Sequence, residues 1–320
     1  MTHVVDIVVI GNILRETIVY NEEILGPVLG SPTAYTSVIL GKLGFNVGIV
    51  SYVGEDIEAD LFKEFRTVDK SGFREATATT ENHLIYDKEG AIRVEYTKTA
   101  PYITADTIPE EYLQAKKFFL GPMNYEIDFD ILPYLRERGK LILSDLGGFG
   151  GTTCYNHFPL GTRRGDHILS RICENSTIIK ASSDDLRYIF PGWSLEQCME
   201  YLLRGSAEFV AVTRGRNGAA YQKKGGKPQY VHAIQPNCSQ SELNAVGGGD
   251  AFAAGLLACY EGPESIDEAV AFGSALASLI LEQRGGCEEA RMPTTIAVAR
   301  RLGNPVYYVP ENGGVSEHGE

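Results

Sequence analysis

Short, largely apolar runs, most of them followed closely by Gly, Ser or Asp, recur along this chain and alternate with stretches of helical character. Val4–Ile10 is interrupted only by Asp6 and ends at Gly11, and Val47–Val53 is closed by Gly54-Glu55-Asp56. Lys117–Leu120, Leu141–Ser144, Thr177–Lys180 and Phe209–Thr213 follow the same plan. A strand with one wet face alternates apolar and polar residues, whereas a strand covered on both faces is apolar throughout. Helical stretches lie between the runs: Thr33–Leu43 before Gly44, Phe129–Arg138, Leu195–Arg204 and Ala269–Leu281. Ser194 with Gln197, and Ser265 with Glu268, have the capping-box spacing that starts a helix. Together these features predict a mostly parallel sheet with helices on both faces.

One region breaks the rhythm. From about Thr79 to Tyr102 the sequence reads as hairpins, with Asn82–Tyr86, a turn at Asp87-Lys88-Glu89-Gly90, and Ala91–Tyr96; Glu16–Leu25 is a further extended piece. The expectation is a single domain over 1–320 with a small β lid built from about 14–29 and 78–104. Such a patch serves as a lid over a substrate site or as a surface for a homodimer. Residues 311–320 read as a solvated, flexible tail.

Charge narrows the partners. Lys plus Arg number 29 against 42 Asp plus Glu, a formal balance of −13. That balance argues against binding nucleic acid through its phosphates and against attraction to an anionic membrane surface. It leaves room for one small cationic pocket. No apolar run reaches the roughly 18–20 residues of a membrane span, and no export signal opens the chain. Six cysteines without a CxxC pair and six histidines without HExxH predict reduced thiols, a cytoplasmic location and no structural zinc.

The stretch richest in chemistry is Asn244-Ala245-Val246-Gly247-Gly248-Gly249-Asp250, followed by an apolar helix over Ala251–Tyr260. Three glycines turn the backbone sharply and leave amide N–H groups uncovered, and the helix start adds more of them. Such a place binds anions, phosphates above all. It is not a P-loop, since no Gly-Lys-Ser/Thr follows. Asp250 stands there instead, either as a plain N-cap or as a base that takes the proton of an attacking hydroxyl. A second glycine cluster, Asp145 to Gly151, follows the run Leu141–Ser144. It reads as a ligand-contacting loop or as a mobile connector. Gly11 stands alone after the first run, so the GxGxxG dinucleotide fingerprint is absent.

Gly247-Gly248-Gly249-Asp250-Ala251-Phe252 resembles the Gly-Ala-Gly-Asp-x-Phe element of the ribokinase-like, or pfkB-type, carbohydrate and nucleoside kinases. Further matches lie in the family's order. Gly30 through Gly44, followed by Val53-Gly54-Glu55-Asp56, looks like its N-terminal glycine motif. Lys180–Leu186 resembles its Asn-x-x-Glu segment, Val212-Thr213-x-Gly215-x-x-Gly218 its nucleotide loop, and Ala269–Leu281 with Arg284-Gly285-Gly286 the segment flanking the adenine pocket. The likeness spans residues 4 to about 303. It implies a three-layer α/β/α fold with a small β lid, and ATP- and Mg²⁺-dependent phosphorylation of a small sugar or polyol. By the same resemblance Asp250 is the general base and Gly247, Gly248 and Gly249 hold the γ-phosphoryl group. Ser182, Asp185, Thr213, Gly215 and Gly218 face the nucleotide, with Asp185 ordering Mg²⁺ through water. Glu16, Gly30, Ser31 and Tyr35 face the acceptor.

Departures from the family pattern fall on the acceptor side and on a cation. Glu16 stands where the family often has Asp; Gly30-Ser31 replaces paired glycines; Tyr35 replaces Asn. Tyr35 either fills room that a furanose would use or is helix core. Asn244 replaces an Asp that helps many members hold a monovalent cation, so potassium activation is expected to be weak or absent. A nucleoside kinase on the same fold is the alternative, and a non-catalytic ligand sensor is a third reading.

Overall fold

The computed structural model describes residues 4–20, 23–86, 92–238, 243–244 and 246–303. The expected turn at Asp87–Gly90, residue Ala245 and the expected tail at 311–320 lie outside the described residues. In chain order the elements begin with β1 (Ile7–Ile10), β2 (Leu14–Tyr20), β3 (Glu23–Gly30), α1 (Pro32–Lys42), β4 (Val47–Gly54), β5 (Val68–Ala76), β6 (Thr80–Tyr86) and β7 (Ile92–Lys98). Then come β8 (Lys117–Leu120), α2 (Ile131–Glu137), β9 (Leu141–Asp145), α3 (Arg163–Asn175), β10 (Ile178–Ser182), α4 (Ser183–Ile189) and α5 (Leu195–Leu202). The chain continues with β11 (Phe209–Thr213), β12 (Ala219–Lys223), β13 (Gln229–Val231), α6 (Gly248–Cys259), α7 (Ile266–Ile280) and α8 (Thr295–Arg301).

The large sheet runs β13-β12-β11-β10-β9-β8-β1-β4-β5. Its seven strands from β11 to β5 pair parallel, and β12 and β13 close one edge antiparallel. Alternate residues of each central strand feed two separate cores. Ile7 and Val9, Phe119, Leu143 and Ile178 pack among Val38, Ile39, Phe252, Leu256 and Leu276 of α1, α6 and α7. Val8 and Ile10, Phe118, Ile142 and Ile179 pack among Leu132, Leu135, Ile168, Ile172 and Met199 of α2, α3 and α5. Both faces are covered, which is why the strands read as unbroken apolar runs. Among the described residues no helix is long and apolar enough to cross a membrane.

A separate four-stranded sheet, ordered β3-β2-β6-β7, stands off the large one. β2 pairs parallel with β6 and antiparallel with β3. The extended piece expected at Glu16–Leu25 is thus two strands, not one.

Three local readings need correction. Ser265 does not form a capping box with Glu268; its hydroxyl instead accepts from Glu261 N–H and donates to the Gly262 carbonyl, closing the turn before α7. Helix α6 starts at Gly248, inside the glycine run, because Gly247 takes the left-handed conformation (φ 85°) and serves as N-cap. β5, β12, β13, α3 and α8 carry no apolar run strong enough to announce them. By contrast, Ser194 and Gln197 do form their reciprocal box. Gly44 (φ 99°) ends α1 with Gly44 N–H on Gly41 and Phe45 N–H on Leu40, the paired bonds of a Schellman motif.

Candidate active site

Parallel pairing sets the carboxyl ends of β9, β10 and β11 side by side. Lys180 lies opposite Asp145 in the β9–β10 register, and Ser182 opposite Thr213 in the β10–β11 register. Loops at such strand ends are where α/β sheets take ligands. The N-terminus of α6 arrives at the same edge. Its first helical bond runs from Ala251 N–H to the Gly247 carbonyl, so the amides of Gly248, Gly249 and Asp250 have no partner within the helix. Gly247 is held to its identity by its neighbour and its positive φ, and Gly248 and Gly249 are tightly approached. A β-carbon on Gly247 would sit 2.7 Å from Cε1 of Tyr35, one on Gly248 3.1 Å from Cδ2 of Leu281, and one on Gly249 3.1 Å from Nζ of Lys180.

Lys180 is a functional candidate that sequence reasoning passed over. It is the one charged residue in the strand Ile178–Ser182, and its side chain turns toward the α6 face. Its ammonium is buried and lies 2.7 Å from Oδ2 of Asp145. Burial alone would lower its pKa, but the carboxylates of Asp145, Asp185 and Asp250 outweigh that and raise it. A fixed positive charge therefore stands directly under the glycine loop. Asp250 is partly exposed and, among the described residues, accepts no hydrogen bond. Desolvation raises its carboxyl to about 7, helped by Asp145 and Asp185 and opposed by Lys180. An unencumbered carboxylate that titrates near neutrality is suited to take a proton from a hydroxyl.

Ser182 and Asp185 are engaged with each other. Ser182 N–H donates to Oδ2 of Asp185 (2.6 Å) and Asp185 N–H to Oγ of Ser182 (3.0 Å), a complete capping box on α4. Oδ1 of Asp185 accepts from both N–H and Oγ1–H of Thr152 at 2.8 and 2.7 Å. This carboxylate thus clamps the glycine loop after β9. Gly151 has no room for a β-carbon beside it (2.4 Å), nor has Gly148 beside the Pro122 carbonyl (2.0 Å). The loop is packed backbone, not a slack connector. Thr213 ends β11; Gly215 (φ 53°) and Gly218 (φ 79°) shape the turn beyond it, and Gly218 approaches the Val231 carbonyl too closely for any side chain.

Of the residues expected at the acceptor, Glu16 of β2 is 3% exposed and points at Gly30, where a β-carbon would lie 2.6 Å from Oε2. Burial raises its carboxyl to about 7, and the charge of Asp250 adds to the rise. Asn82 stands directly opposite Glu16 on β6. Its amide is fully buried beside the Glu16 carboxyl and lowers that pKa as a hydrogen-bonding neighbour. The sequence marked Asn82 only as part of a strand. Ser31 caps α1 by accepting from Ala34 N–H, in a φ of 101° that is unusual for a side-chain residue. Tyr35 is 1% exposed and comes up beneath Gly247, with Arg291 donating to its hydroxyl at 3.2 Å. It packs as helix core against the left-handed turn at Gly247. Asn244 accepts from Val246 N–H and donates to the carbonyls of Gln283 and Gly285.

Comparison with known proteins agrees with this geometry. The profile of the pfkB family carbohydrate kinases matches residues 32–294. A cytidine kinase of Thermococcus kodakarensis is 26% identical over 283 residues, covering 88% of this chain and 97% of that protein. An ATP-dependent ribose-1-phosphate kinase of Halopiger xanaduensis is 26% identical over 85% of this chain and 86% of its own length. The Arabidopsis thaliana ribokinase, solved with ribose and ATP, superposes with a TM-score of 0.71 at 20% identity, over 93% of this chain and 98% of that one. The large parallel sheet with helices on both faces is the ribokinase-like fold, and the chain belongs to the pfkB family of carbohydrate kinases, phosphotransferases with an alcohol group as acceptor.

Proposed function

We propose that the protein transfers the γ-phosphoryl group of ATP to a hydroxyl of a monosaccharide or sugar-like polyol. The observation that carries this reading is Asp250: a carboxyl held near pKa 7, free of hydrogen bonds among the described residues, directly after two glycines whose amides, like its own, have no partner within the helix. In the reaction the acceptor O–H proton passes to Asp250 as the oxygen forms a bond to the γ-phosphorus. The bond from phosphorus to the β–γ bridging oxygen breaks, and ADP leaves. The amides of Gly247, Gly248 and Gly249 and the Lys180 ammonium stabilise the charge on the transferring group. Ser182, Thr213, Gly215 and Gly218 border the nucleotide, and Asp145 holds Lys180 in place. Glu16, Asn82, Gly30 and Ser31 orient the acceptor, and the small sheet covers it as a lid. Mg²⁺ on the donor phosphates would neutralise their charge. Asp185 fits it only through water, because its oxygens already accept three hydrogen bonds.

A nucleoside acceptor is the second reading. The cytidine kinase relative favours it, as does a small recess of about 80 Å³ where Ile18, Tyr20, Leu25 and Tyr86 meet the polar groups of Glu23, Asn244 and Arg284. The Tyr20 and Tyr86 rings, 5.8 Å apart, offer the faces on which a base packs.

The test is ADP release from ATP and Mg²⁺ with hexoses, pentoses, ribose-1-phosphate, inositols, keto-deoxy sugar acids and nucleosides, run beside Asp250→Asn. A hit whose turnover falls about 10²–10⁴-fold in the variant, with ATP affinity kept, supports the assignment. Near-normal turnover in Asp250→Asn removes Asp250 as the base. A preferred nucleoside selects the second reading. ATP binding with no turnover of any acceptor points to an acceptor outside the panel, and silence with no ATP binding favours a sensor.

A further inference from the structure

Arg291 is 4% exposed and, among the described residues, forms no ion pair with a carboxylate. Its guanidinium is caged by neutral oxygens. Nη1 donates to the Gly285 carbonyl (2.5 Å), to the Gly286 carbonyl and to the Tyr35 hydroxyl (3.2 Å). Nη2 donates to the carbonyls of Val246 and Ile280, both at 3.2 Å, while Nε has no partner. Removing a charge from water without a counter-ion costs several kcal/mol, and five oxygen dipoles return only part of that.

The position joins two helix ends. Val246 precedes Gly247, the N-cap of α6, so the cation lies behind the positive end of that helix, while its bond to Ile280, the last residue of α7, sets it at the negative end of another. It is coupled to Gly247 twice, through the Val246 carbonyl and through Tyr35, whose ring packs against Gly247. An anion entering the glycine loop would supply the counter-charge that Arg291 lacks among the described residues.

The same contacts remove the cage a free cation would need. The carbonyls that converge here are taken up by N–H donors: Gly285 accepts from both Arg291 and Nδ2 of Asn244, and Gln283 accepts from Asn244 as well. Asn244 brings no negative charge. The residues present therefore do not fit a monovalent cation beside the anion loop.

Building on the kinase reading, we propose that Arg291 is a tethered cation that positions and polarises the glycine loop for the donor phosphate, and that it makes the enzyme independent of potassium. It is a positioning residue, acting through Val246, Tyr35 and Gly247.

The wild-type protein carries the first test. Replacing K⁺, Na⁺ and NH₄⁺ by tetramethylammonium at constant ionic strength of about 0.1 M should change turnover by less than about twofold. The variant arm uses Arg291→Met and Arg291→Lys, with binding of a non-hydrolysable ATP analogue and Mg²⁺ read by calorimetry. Arg291→Met should lose affinity and, where an acceptor is known, about 10²-fold in turnover. Adding K⁺, NH₄⁺ or guanidinium should restore at least tenfold of it, and Arg291→Lys should fall between the two proteins. Strong K⁺ activation of the wild type overturns the proposal. So does Arg291→Met with unchanged affinity, or a folded Arg291→Met that no cation rescues, since that is the mark of a merely structural arginine. Calorimetry needs only the donor, so a wrong acceptor assignment leaves this result readable.

Discussion

Gly247 and Tyr35 are in contact: a β-carbon on Gly247 would lie 2.7 Å from the Tyr35 ring and 3.3 Å from Cδ1 of Ile280. The left-handed turn that frees the α6 amides is therefore wedged from below by an aromatic ring. Gly247→Ala should suffer twice, from the positive φ of 85° and from overlap with the ring. The φ alone costs about 1 kcal/mol. Donor affinity should drop at least tenfold, with a lower melting temperature. Unchanged ATP-analogue binding by calorimetry would show that the turn is not the phosphate site.

The Lys180–Asp145 pair separates structure from chemistry. Lys180→Met leaves Asp145 buried without its partner and should destabilise the protein by roughly 3–5 kcal/mol. Adding Asp145→Asn should recover much of that loss, because no unpaired charge remains. Turnover should not recover, since the ammonium beneath Gly249 is still missing. Denaturant unfolding and steady-state kinetics on the double variant check both halves. Recovered turnover would mean that Lys180 serves only to neutralise Asp145.

Two acids raised to about 7 make pH a probe of the site. Asp250 must be ionised to accept a proton, so kcat/KM should rise with pH through about 7 and level off above it. Stability should move the other way. Glu16 holds its proton in the folded chain over a range where the unfolded chain has lost it. Its contribution is therefore full below about 4.5 and is lost as pH rises through about 7. The change is on the order of 3 kcal/mol. Glu16→Gln should flatten that part of the apoprotein's stability profile, measured by denaturant melts from pH 4 to pH 8. An unchanged slope would show that Glu16 titrates normally.

Ser31 sits at φ 101° and ψ 154°, a region that favours glycine and costs a side-chain residue about 1–3 kcal/mol. Ser31→Gly sheds the strain and loses only a few tenths of a kcal/mol of capping, offset further by the entropy of an added glycine. The net should be about 1 kcal/mol of added stability, seen as a melting temperature higher by about 2 °C. The acceptor KM should rise if the Ser31 hydroxyl holds the acceptor. A fall in melting temperature would mean that the cap outweighs the strain.

The sequence by itself determined the layering of the protein and the loop at its centre. Strands such as Phe209–Thr213 and Lys117–Leu120 were readable because burial on both faces leaves a continuous apolar run, a purely local signature. The run Gly247–Asp250 was readable because an anion-binding turn needs glycines next to one another. The antiparallel strands β12 and β13 were not legible: β13 at the edge is largely exposed, and β12, though buried, is only Ala219-Ala220-Tyr221-Gln222-Lys223 and carries no strong apolar run. Only the tertiary structure decided which charges surround the loop. Lys180 meets Asp145 across 35 residues and Arg291 meets Val246 across 45, with Tyr35 joined from 256 residues away. Lys180 left a faint trace as a lone charge in an apolar strand; Asn82 and Arg291 left none. The pKa of Glu16 and of Asp250, and the cation that stands behind Gly247, follow from desolvation and distance in the folded chain, and neither quantity is local in sequence.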